Sequence, residues 1–245
     1  MTKKNLNNVM FCRIADLSVI IPKTGNMPER CEAYLMTDNG EGADIILRTD
    51  HYNLERWNFQ LEENAIYRES GYWFHRNLID FDGMMLHSSA IEYQGRAYLF
   101  SGPCGMGKST HTHLWETLYG TEVTFLNDDK PALRRLDGRW FAYGTPWCGK
   151  DGINQNKKAP LAGICFLRRG ENDEIRRLDK KEAMQYVLWQ TTSKIKDIDK
   201  MTKLLTLVDK LVREIPIFEL RCTKEQSAAL LSSKTMCQAA QEENL

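Results

Sequence analysis

Hydrophobic and polar positions divide the chain into a strand-rich part and a helical part. Over residues 9–22 apolar residues alternate loosely with polar ones up to Pro22, which predicts one or two strands, and residues 43–48 predict another. From residue 65 to residue 99, short runs rich in aromatic and β-branched residues are interrupted by glycine-containing turns, which predicts a meander of strands. The aromatic residues expected in the core and on the sheet faces are Tyr67, Tyr72, Trp73 and Phe74.

Further strands are predicted at residues 122–127 and 161–167, and Asp137 with Gly138 predicts the tight turn of a hairpin between them. The last third is helical, because apolar residues recur there at helical spacing until Pro216 ends the pattern. These apolar residues are Met201, Leu204, Leu205, Val208, Leu211, Val212 and Ile215. The predicted class is therefore α/β, with helices from the C-terminal third packed on a sheet.

Two sequence pairs predict where these helices begin. Asp179 with Glu182, and Thr223 with Gln226, have the spacing of a capping box. In that motif the first side chain accepts from an early helical amide while the second reaches back.

A glycine-rich stretch is the strongest chemical signal. It reads Gly102-x-x-x-x-Gly107-Lys108-Ser109, the pattern of a phosphate-binding loop, and it lies between a strand-like run and a helical pattern that ends at Gly120. Glycines let the backbone direct successive N–H groups at phosphate oxygens, and the helix N-terminus adds partial positive charge. The alternative is a glycine turn with a surface lysine. The residues predicted to contact nucleotide are Gly102, Pro103, Cys104, Gly105, Met106, Gly107, Lys108, Ser109 and Thr110.

Composition narrows the class of protein. Hydrophobic residues make up 42% and charged residues 27% of the chain, and 33 basic residues balance 33 acidic ones. Because the chain has no net charge, its overall charge does not attract nucleic acid or anionic membrane. It also has no run of about 18 apolar residues that would predict a membrane span. The seven cysteines are scattered without a C-x-x-C pair, which predicts reduced thiols. We therefore expect a cytoplasmic protein with neither nucleic-acid nor membrane partners.

Two acidic residues follow the strand predicted at 122–127. A phosphate-binding loop needs a carboxylate for its metal ion, usually at the end of a neighbouring strand, and Asp128 and Asp129 are placed there. Adjacent carboxylates can divide the work, one binding the metal ion and one accepting the proton of an attacking hydroxyl. The alternative is a pair of aspartates in a solvated turn.

His87 lies fifteen residues before Gly102. A hairpin over residues 91–99 would return the chain to the end of the sheet where His87 lies, which makes it a candidate catalytic residue. The alternative is a structural histidine.

His87, the glycine-rich loop and the acidic pair, in this order and spacing, resemble the catalytic domain of bacterial HPr serine kinase/phosphorylase. That family shares its nucleotide-binding core with ATP-dependent phosphoenolpyruvate carboxykinase. The chain looks more closely similar to short HPr-kinase-related proteins of bacterial gene clusters, some of which modify peptides. The motifs that carry this resemblance are His87-Ser-Ser-Ala90, Leu99-Phe-Ser-Gly102, Asn127-Asp-Asp-Lys130 and Gly144-Thr-Pro-Trp147.

The resemblance implies a P-loop-containing mixed β-sheet core of the HPr kinase and phosphoenolpyruvate carboxykinase type, with C-terminal helices. It implies ATP and Mg²⁺ as cofactors. By the same resemblance Lys108 binds phosphates, Ser109 and Asp129 hold Mg²⁺, Asp128 is the general base and His87 lies near the γ-phosphate.

The chain also departs from that family. The glycine-rich signature reads Pro146-Trp-Cys-Gly-Lys150 without the usual Glu-Arg pair, and residues 1–80 do not resemble the regulatory domain. We expect residues 1–80 to be a β-rich region of the same domain and residues 81–245 to be the kinase-like core. Trp147 and Lys150 are candidates for contact with substrate or phosphate, with loop packing as the alternative.

The function expected from these residues is transfer of the γ-phosphate of ATP to a hydroxyl, with a serine of a peptide or small protein as acceptor. One alternative is a kinase or phosphotransferase acting on a small metabolite. The other is a nucleotide-sensing module without turnover, against which the acidic pair argues. Family members assemble, so the resemblance allows a homo-oligomer, but the sequence itself does not indicate an oligomeric state.

Overall fold

The computed structural model describes residues 8–37, 42–57, 61–191 and 195–244. The strands of these residues are β1 (Val9–Ile14), β2 (Leu17–Pro22), β3 (Ile45–Ile46), β4 (Gly83–Met85), β5 (Ser88–Tyr93), β6 (Arg96–Ser101), β7 (Val123–Asn127), β8 (Ala132–Leu136), β9 (Arg139–Tyr143), β10 (Lys158–Arg169), β11 (Glu174–Arg177) and β12 (Ile217–Cys222). The helices are α1 (Met27–Arg30), α2 (Glu62–Leu78), α3 (Lys108–Tyr119), α4 (Lys180–Thr191), α5 (Ile198–Glu214) and α6 (Gln226–Glu242). The predicted α/β class is confirmed.

A mixed sheet of nine strands lies at the centre of the described structure. Its order is β4-β8-β9-β10-β6-β5-β7, while β12 also pairs with β10, and β11 with β12. The first residues of β10 pair antiparallel with β9, and its later residues pair in parallel with β6 and β12. The hairpins predicted around residues 91–99 and at Asp137 are confirmed as β5–β6 and β8–β9.

Helices cover both faces of this sheet because side chains alternate along its strands. Leu99 on β6 faces a core formed with α4 and α5. Val208 of α5, one of the apolar residues predicted at helical spacing, belongs to this core. Its neighbour Phe100 faces the opposite core, formed with α3 and α6, where Trp115 is fully buried. The predicted C-terminal helices are therefore confirmed as packing elements of the sheet.

The first part of the chain forms a smaller sheet, β1-β2-β3, that packs with α1 and α2. The hairpin β1–β2 and the short β3 confirm the strands predicted over residues 9–22 and 43–48. Phe74 of α2 and Trp147 belong to the same buried cluster as this sheet, so the first part of the chain shares a core with the loop after β9.

The strands predicted between residues 65 and 78 are wrong, because this segment is the seventeen-residue helix α2. Tyr67, Phe74 and Leu78 are buried at helical spacing, and this tertiary packing overrides the β preference of the aromatic residues. Gly71 is not a turn residue. A Cβ atom there would lie 3.0 Å from the indole of Trp147, so glycine permits the close approach of the two segments.

The predicted start of α4 is confirmed: the Glu182 amide donates to Asp179 Oδ1 at 2.8 Å and the Asp179 amide to Glu182 Oε2 at 3.3 Å. The second predicted capping box is wrong. The N-cap of α6 is Glu225, and Thr223 instead donates its amide and its hydroxyl to Asp173, at 2.7 and 2.9 Å.

Within the described residues, no helix is both long enough and apolar enough to cross a membrane.

Candidate functional site

The start of β5 and the ends of β6 and β7 lie together, and the candidate residues predicted from the sequence are next to them. Ser88 at the start of β5 pairs with Ser101 at the end of β6, and β5 also pairs with β7, which ends at Asn127. The Ser101 hydroxyl donates to the His87 carbonyl at 2.8 Å. The predicted return of the chain to His87 is therefore confirmed, and the glycine-rich loop, His87 and the acidic pair share one end of the sheet.

The loop of residues 102–107 connects β6 to α3 in the predicted order. Gly102, Gly105 and Gly107 have φ angles of 149°, 75° and 99°, a region that favours glycine. No side chain of the described residues caps the N-terminus of α3. Its first amide N–H groups are thus left for another acceptor, and a helix N-terminus attracts anions.

Lys108 is the first residue of α3, and its side chain extends over the glycine-rich loop. Its ammonium group donates to the carbonyls of Gly102 at 3.1 Å and Pro103 at 3.3 Å. Burial lowers the pKa of Lys108, although the charges of Asp129 and Asp128 act in the opposite direction. The loop thus holds a desolvated cation beside open glycine backbone: in the described structure, a Cβ atom on Gly105 or Gly107 would meet nothing within 4 Å.

Ser109 contacts the first carboxylate of the acidic pair. Its hydroxyl donates to Asp128 Oδ2 at 2.8 Å. The other oxygen, Asp128 Oδ1, is buried and has no hydrogen-bond partner within the described ranges. A buried carboxylate oxygen without a partner is costly, so Asp128 presents an unsatisfied acceptor beside a hydroxyl at the start of α3.

Asp129 has a different environment. Its Oδ2 accepts from the Tyr67 hydroxyl at 2.7 Å and from Lys130 Nζ at 2.6 Å, while Oδ1 lies 3.5 Å from His87 Nε2. Burial acts to raise the pKa of Asp129, but the charge and hydrogen bond of Lys130, with the hydrogen bond of Tyr67, hold it below its usual value. Asp129 is therefore an ionised carboxylate with a defined orientation.

Gln190 orients the ring of His87 from the side opposite Asp129. Its Nδ1 lies 3.0 Å from Gln190 Oε1, and because that oxygen is an acceptor, Nδ1 carries the hydrogen of the neutral ring. Burial and the positive charge of Lys108 lower the pKa of His87, although Asp129 and Gln190 act in the opposite direction. The opposite ring nitrogen, His87 Nε2, thus lies 3.5 Å from Asp129 Oδ1.

Several residues of this network were not identified as candidates from the sequence. Asn127 fixes the turn of the acidic pair, because its Oδ1 accepts from the amides of Asp129 at 2.9 Å and Lys130 at 2.7 Å. Both Asn127 and Lys130 lie in the motif Asn-Asp-Asp-Lys, so adjacency was the available signal. Tyr67 and Gln190 reach the site from distant helices, and no local pattern indicates them.

Tyr67 joins the acidic pair to the loop after β9. Its hydroxyl donates to Asp129 and accepts from the Gly149 amide at 3.1 Å. The Arg30 guanidinium lies 4.6 Å from the centre of the Tyr67 ring and donates to the Gly149 carbonyl at 2.8 Å. Residues of the first part of the chain therefore complete the site.

The predicted substrate contact of Trp147 is wrong, because this side chain is fully buried. Its indole stacks on Phe74 with ring centres 4.6 Å apart and donates to Ser70 at 3.1 Å, so loop packing is the correct alternative. Lys150 is exposed and lines the cleft.

These groups surround one cleft of about 980 Å³. The residues that line it come from the glycine-rich loop and the start of α3, from the acidic pair, from α2 and from the end of α4. The predicted residues that line it are His87, Cys104, Gly105, Gly107, Lys108, Ser109, Thr110, Asp128, Asp129 and Lys150.

Fold and site define the class: an α/β protein in which a glycine-rich loop, a buried lysine and two adjacent carboxylates meet in one cleft. The chain belongs to the family described as SynChlorMet cassette protein ScmC, whose model matches residues 67–227, about two thirds of the chain. The matched segment begins at Tyr67 and contains the glycine-rich loop and the acidic pair.

Among solved structures, the HPr(Ser) kinase/phosphatase from Coxiella burnetii is similar at 12% identity, with a TM-score of 0.38. The similarity covers 65% of this chain and 91% of that chain. No curated protein matches the chain.

Proposed function

We propose that this protein is a Mg²⁺-dependent kinase that transfers the γ-phosphate of ATP to a hydroxyl group. The observation that carries the proposal is the convergence, in one cleft, of a glycine-rich loop with its lysine, a Ser109–Asp128 pair with an unsatisfied oxygen, and an oriented, ionised Asp129. Phosphoryl transfer needs positioning and charge neutralisation more than covalent participation, and these groups supply both.

The loop is the proposed site of the ATP phosphates. Open backbone at Gly105 and Gly107 leaves room for phosphate oxygens, and the uncapped amides of α3 are donors for them. Lys108 would leave its loop carbonyls to contact the β- and γ-phosphates, exchanging neutral acceptors for anionic ones.

Ser109 and Asp128 fit Mg²⁺, which prefers oxygen ligands and is bound by one or two carboxylates plus substrate phosphates. The fit is supported by the buried Asp128 Oδ1, which has no hydrogen-bond partner among the described residues. When bound, Mg²⁺ neutralises charge on the β- and γ-phosphates. The resemblance gave this role to Asp129, but the contact of Ser109 with Asp128 favours exchanging the two roles.

Asp129 is then the proposed base. In the transfer step the acceptor oxygen forms a bond to the γ-phosphorus, the bond from that phosphorus to the β,γ-bridging oxygen breaks, and ADP leaves with the electron pair. The hydroxyl proton goes to Asp129 Oδ1, where His87 Nε2, 3.5 Å away, can share it. Tyr67 and Lys130 hold the other carboxylate oxygen in place.

The division of roles is tested by following transfer from labelled ATP at several Mg²⁺ concentrations. Asp129→Asn should lower transfer roughly 100-fold or more at every Mg²⁺ concentration, because it removes the base. Asp128→Asn should raise the Mg²⁺ concentration required, with partial recovery at saturation. Lys108→Ala should weaken both ATP binding and transfer, and Lys224→Ala, on an exposed position of the chain, serves as the matched control.

The acceptor is sought by incubating the protein with labelled ATP and cell extract, and separating the products by size. The kinase proposal expects label in the peptide or small-protein fraction, or in the metabolite fraction. Tight ATP binding with transfer to no fraction would instead identify a nucleotide-sensing module. If Asp128→Asn abolished transfer at saturating Mg²⁺ and Asp129→Asn recovered with Mg²⁺, the roles first implied by the resemblance would be correct.

A further inference from the structure

The cleft has a second wall, on α2, that the phosphate chemistry leaves largely unused. Its residues lie three and four positions apart on one face of the helix, and they are Asn64, Tyr67, Arg68, Gly71, Tyr72 and His75. Ligand sites commonly measure ~300–1,000 Å³. At about 980 Å³, this cleft has room for a second substrate beside a nucleotide.

This wall is cationic. Arg68 is an exposed residue of α2, and Arg30 of α1 lies against the Tyr67 ring. In the described part of the chain, none of the carboxylates that line the cleft lies on α1 or α2. Burial lowers the pKa of His75 to about 4, so the ring is neutral at pH 7 and the charge of the wall comes from arginine.

The α2 wall adjoins the reacting groups. Tyr67, the residue before Arg68 on α2, donates to Asp129 Oδ2 at 2.7 Å. A ligand bound along α2 would therefore lie beside the proposed base.

An exposed aromatic side chain stands at the rim of the same cleft. Trp189 of α4 is 79% exposed and lines the cleft next to Gln190, whose side chain contacts His87. Tryptophan offers a large rigid surface and is enriched where proteins contact other chains. A rim indole of this exposure fits an extended ligand better than a small molecule enclosed in the cleft.

Resting on the kinase function above, we propose that the α2 wall, with Arg30 and Trp189, binds the acceptor, and that the acceptor is a serine-bearing peptide segment with acidic residues beside the serine. Aspartate or glutamate side chains of the peptide pair with Arg68 and Arg30, whose planar guanidinium groups suit carboxylates. Trp189 packs on the peptide at the rim. This arrangement leaves the serine hydroxyl facing Asp129, beside the phosphates of ATP on the glycine-rich loop.

The test compares three serine peptides of equal length, with acidic, neutral or basic flanking residues, as substrates of the full chain. The expected preference is for the acidic peptide. Arg68→Gln should raise the KM for this peptide about ten-fold, the effect of losing one charge-assisted hydrogen bond, while the neutral peptide changes little. Charge reversal by Arg68→Glu should shift the preference toward the basic peptide, a gain that loss of folding cannot imitate.

Arg139→Gln, at the hairpin tip remote from the cleft, is the matched control and should leave the peptide preference unchanged. Equal rates for the three wild-type peptide reactions, or equal effects of Arg68→Gln on all of them, would overturn the acidic-peptide assignment. Label found only in small molecules would also overturn it while leaving the kinase function intact. Absence of transfer to peptides and to extract alike would instead contradict the kinase function itself.

Discussion

Tyr67 shows how one side chain can unite groups from separate parts of the chain. Its hydroxyl donates to Asp129 and accepts from the Gly149 amide, and its ring is covered by Arg30. Burial and the nearby Asp129 charge raise the pKa of Tyr67, so the hydroxyl keeps its proton and remains a donor. Tyr67 is therefore a positioning residue for Asp129 in the proposed reaction.

Tyr67→Phe should lower kcat about ten-fold and leave the KM for ATP nearly unchanged, because Asp129 loses one of the groups that orient it. The unfolding free energy should fall by about 1–2 kcal/mol, since the half-buried Gly149 amide loses its acceptor. Steady-state kinetics and urea denaturation measure the two effects.

Tyr52→Phe is a close control. The Tyr52 hydroxyl is buried and has no hydrogen-bond partner in the part of the chain that the structure describes, so its removal should be neutral or stabilising and should not change kcat. Equal kinetic losses in the two variants would contradict the positioning role of Tyr67.

At the scale of elements, the site depends on how closely the loop after β9 approaches β7. A Cβ atom on Gly144 would lie 1.8 Å from the Gln155 carbonyl oxygen and 2.6 Å from that of Leu126. Both are backbone atoms, and the Gln155 amide donates to the Leu126 carbonyl at 3.0 Å. The strand that carries the acidic pair is thus held by contacts that only glycine permits.

Gly144→Ala should cost more than about 4 kcal/mol of unfolding free energy or prevent folding, because a backbone segment must move. Gly95→Ala provides the comparison. Gly95 has a φ of 73°, and a Cβ atom there would meet no described atom within 4 Å, so only the backbone conformation is penalised. That penalty is about 1–2 kcal/mol. Denaturation midpoints of the two variants measure the difference, and similar losses would refute the steric explanation.

Elements defined by local signals could be predicted from the sequence. The strand, loop and helix around Lys108 follow from glycine spacing, and Pro216 marks the end of α5. Helix α2 could not be predicted in this way, because its aromatic residues favour strands and its Gly71 resembles a turn. Gly71 and the aromatic Phe74 of α2 both pack against Trp147, which comes from a distant segment of the chain.

The candidate site was predictable to a similar extent. Asp128 and Asp129 were identified from their place after a strand, but their separate partners, Ser109 and Tyr67, depend on tertiary packing. The sequence therefore indicated the pair of carboxylates, while the contacts distinguish one from the other.

At the scale of the whole molecule, buried histidines make stability depend on pH. Burial lowers the pKa of His75 and of His111 from 6.5 to about 4. In the unfolded chain both rings take up protons below pH 6.5, whereas in the folded chain they remain neutral until about pH 4. The unfolded state therefore binds more protons in this window, and stability falls as pH decreases through it.

Each of the two rings should contribute a loss of about 3 kcal/mol between about pH 6.5 and about pH 4. His111→Gln should remove one proton from the uptake on unfolding and so make stability less dependent on pH in this window. Urea denaturation at several pH values measures the slope, with His113→Gln, at an exposed position, as the control. Identical slopes for wild type and His111→Gln would show that His111 is not held neutral.

The cleft is joined by contacts between residues far apart in the chain. Tyr67 and Asp129 are 62 positions apart, Arg30 and Gly149 119, and His87 and Gln190 103. Closing such long loops costs chain entropy before the contacts are gained, so these pairings form late in folding. The cleft should consequently form late, and a bound nucleotide would slow unfolding by holding its segments together.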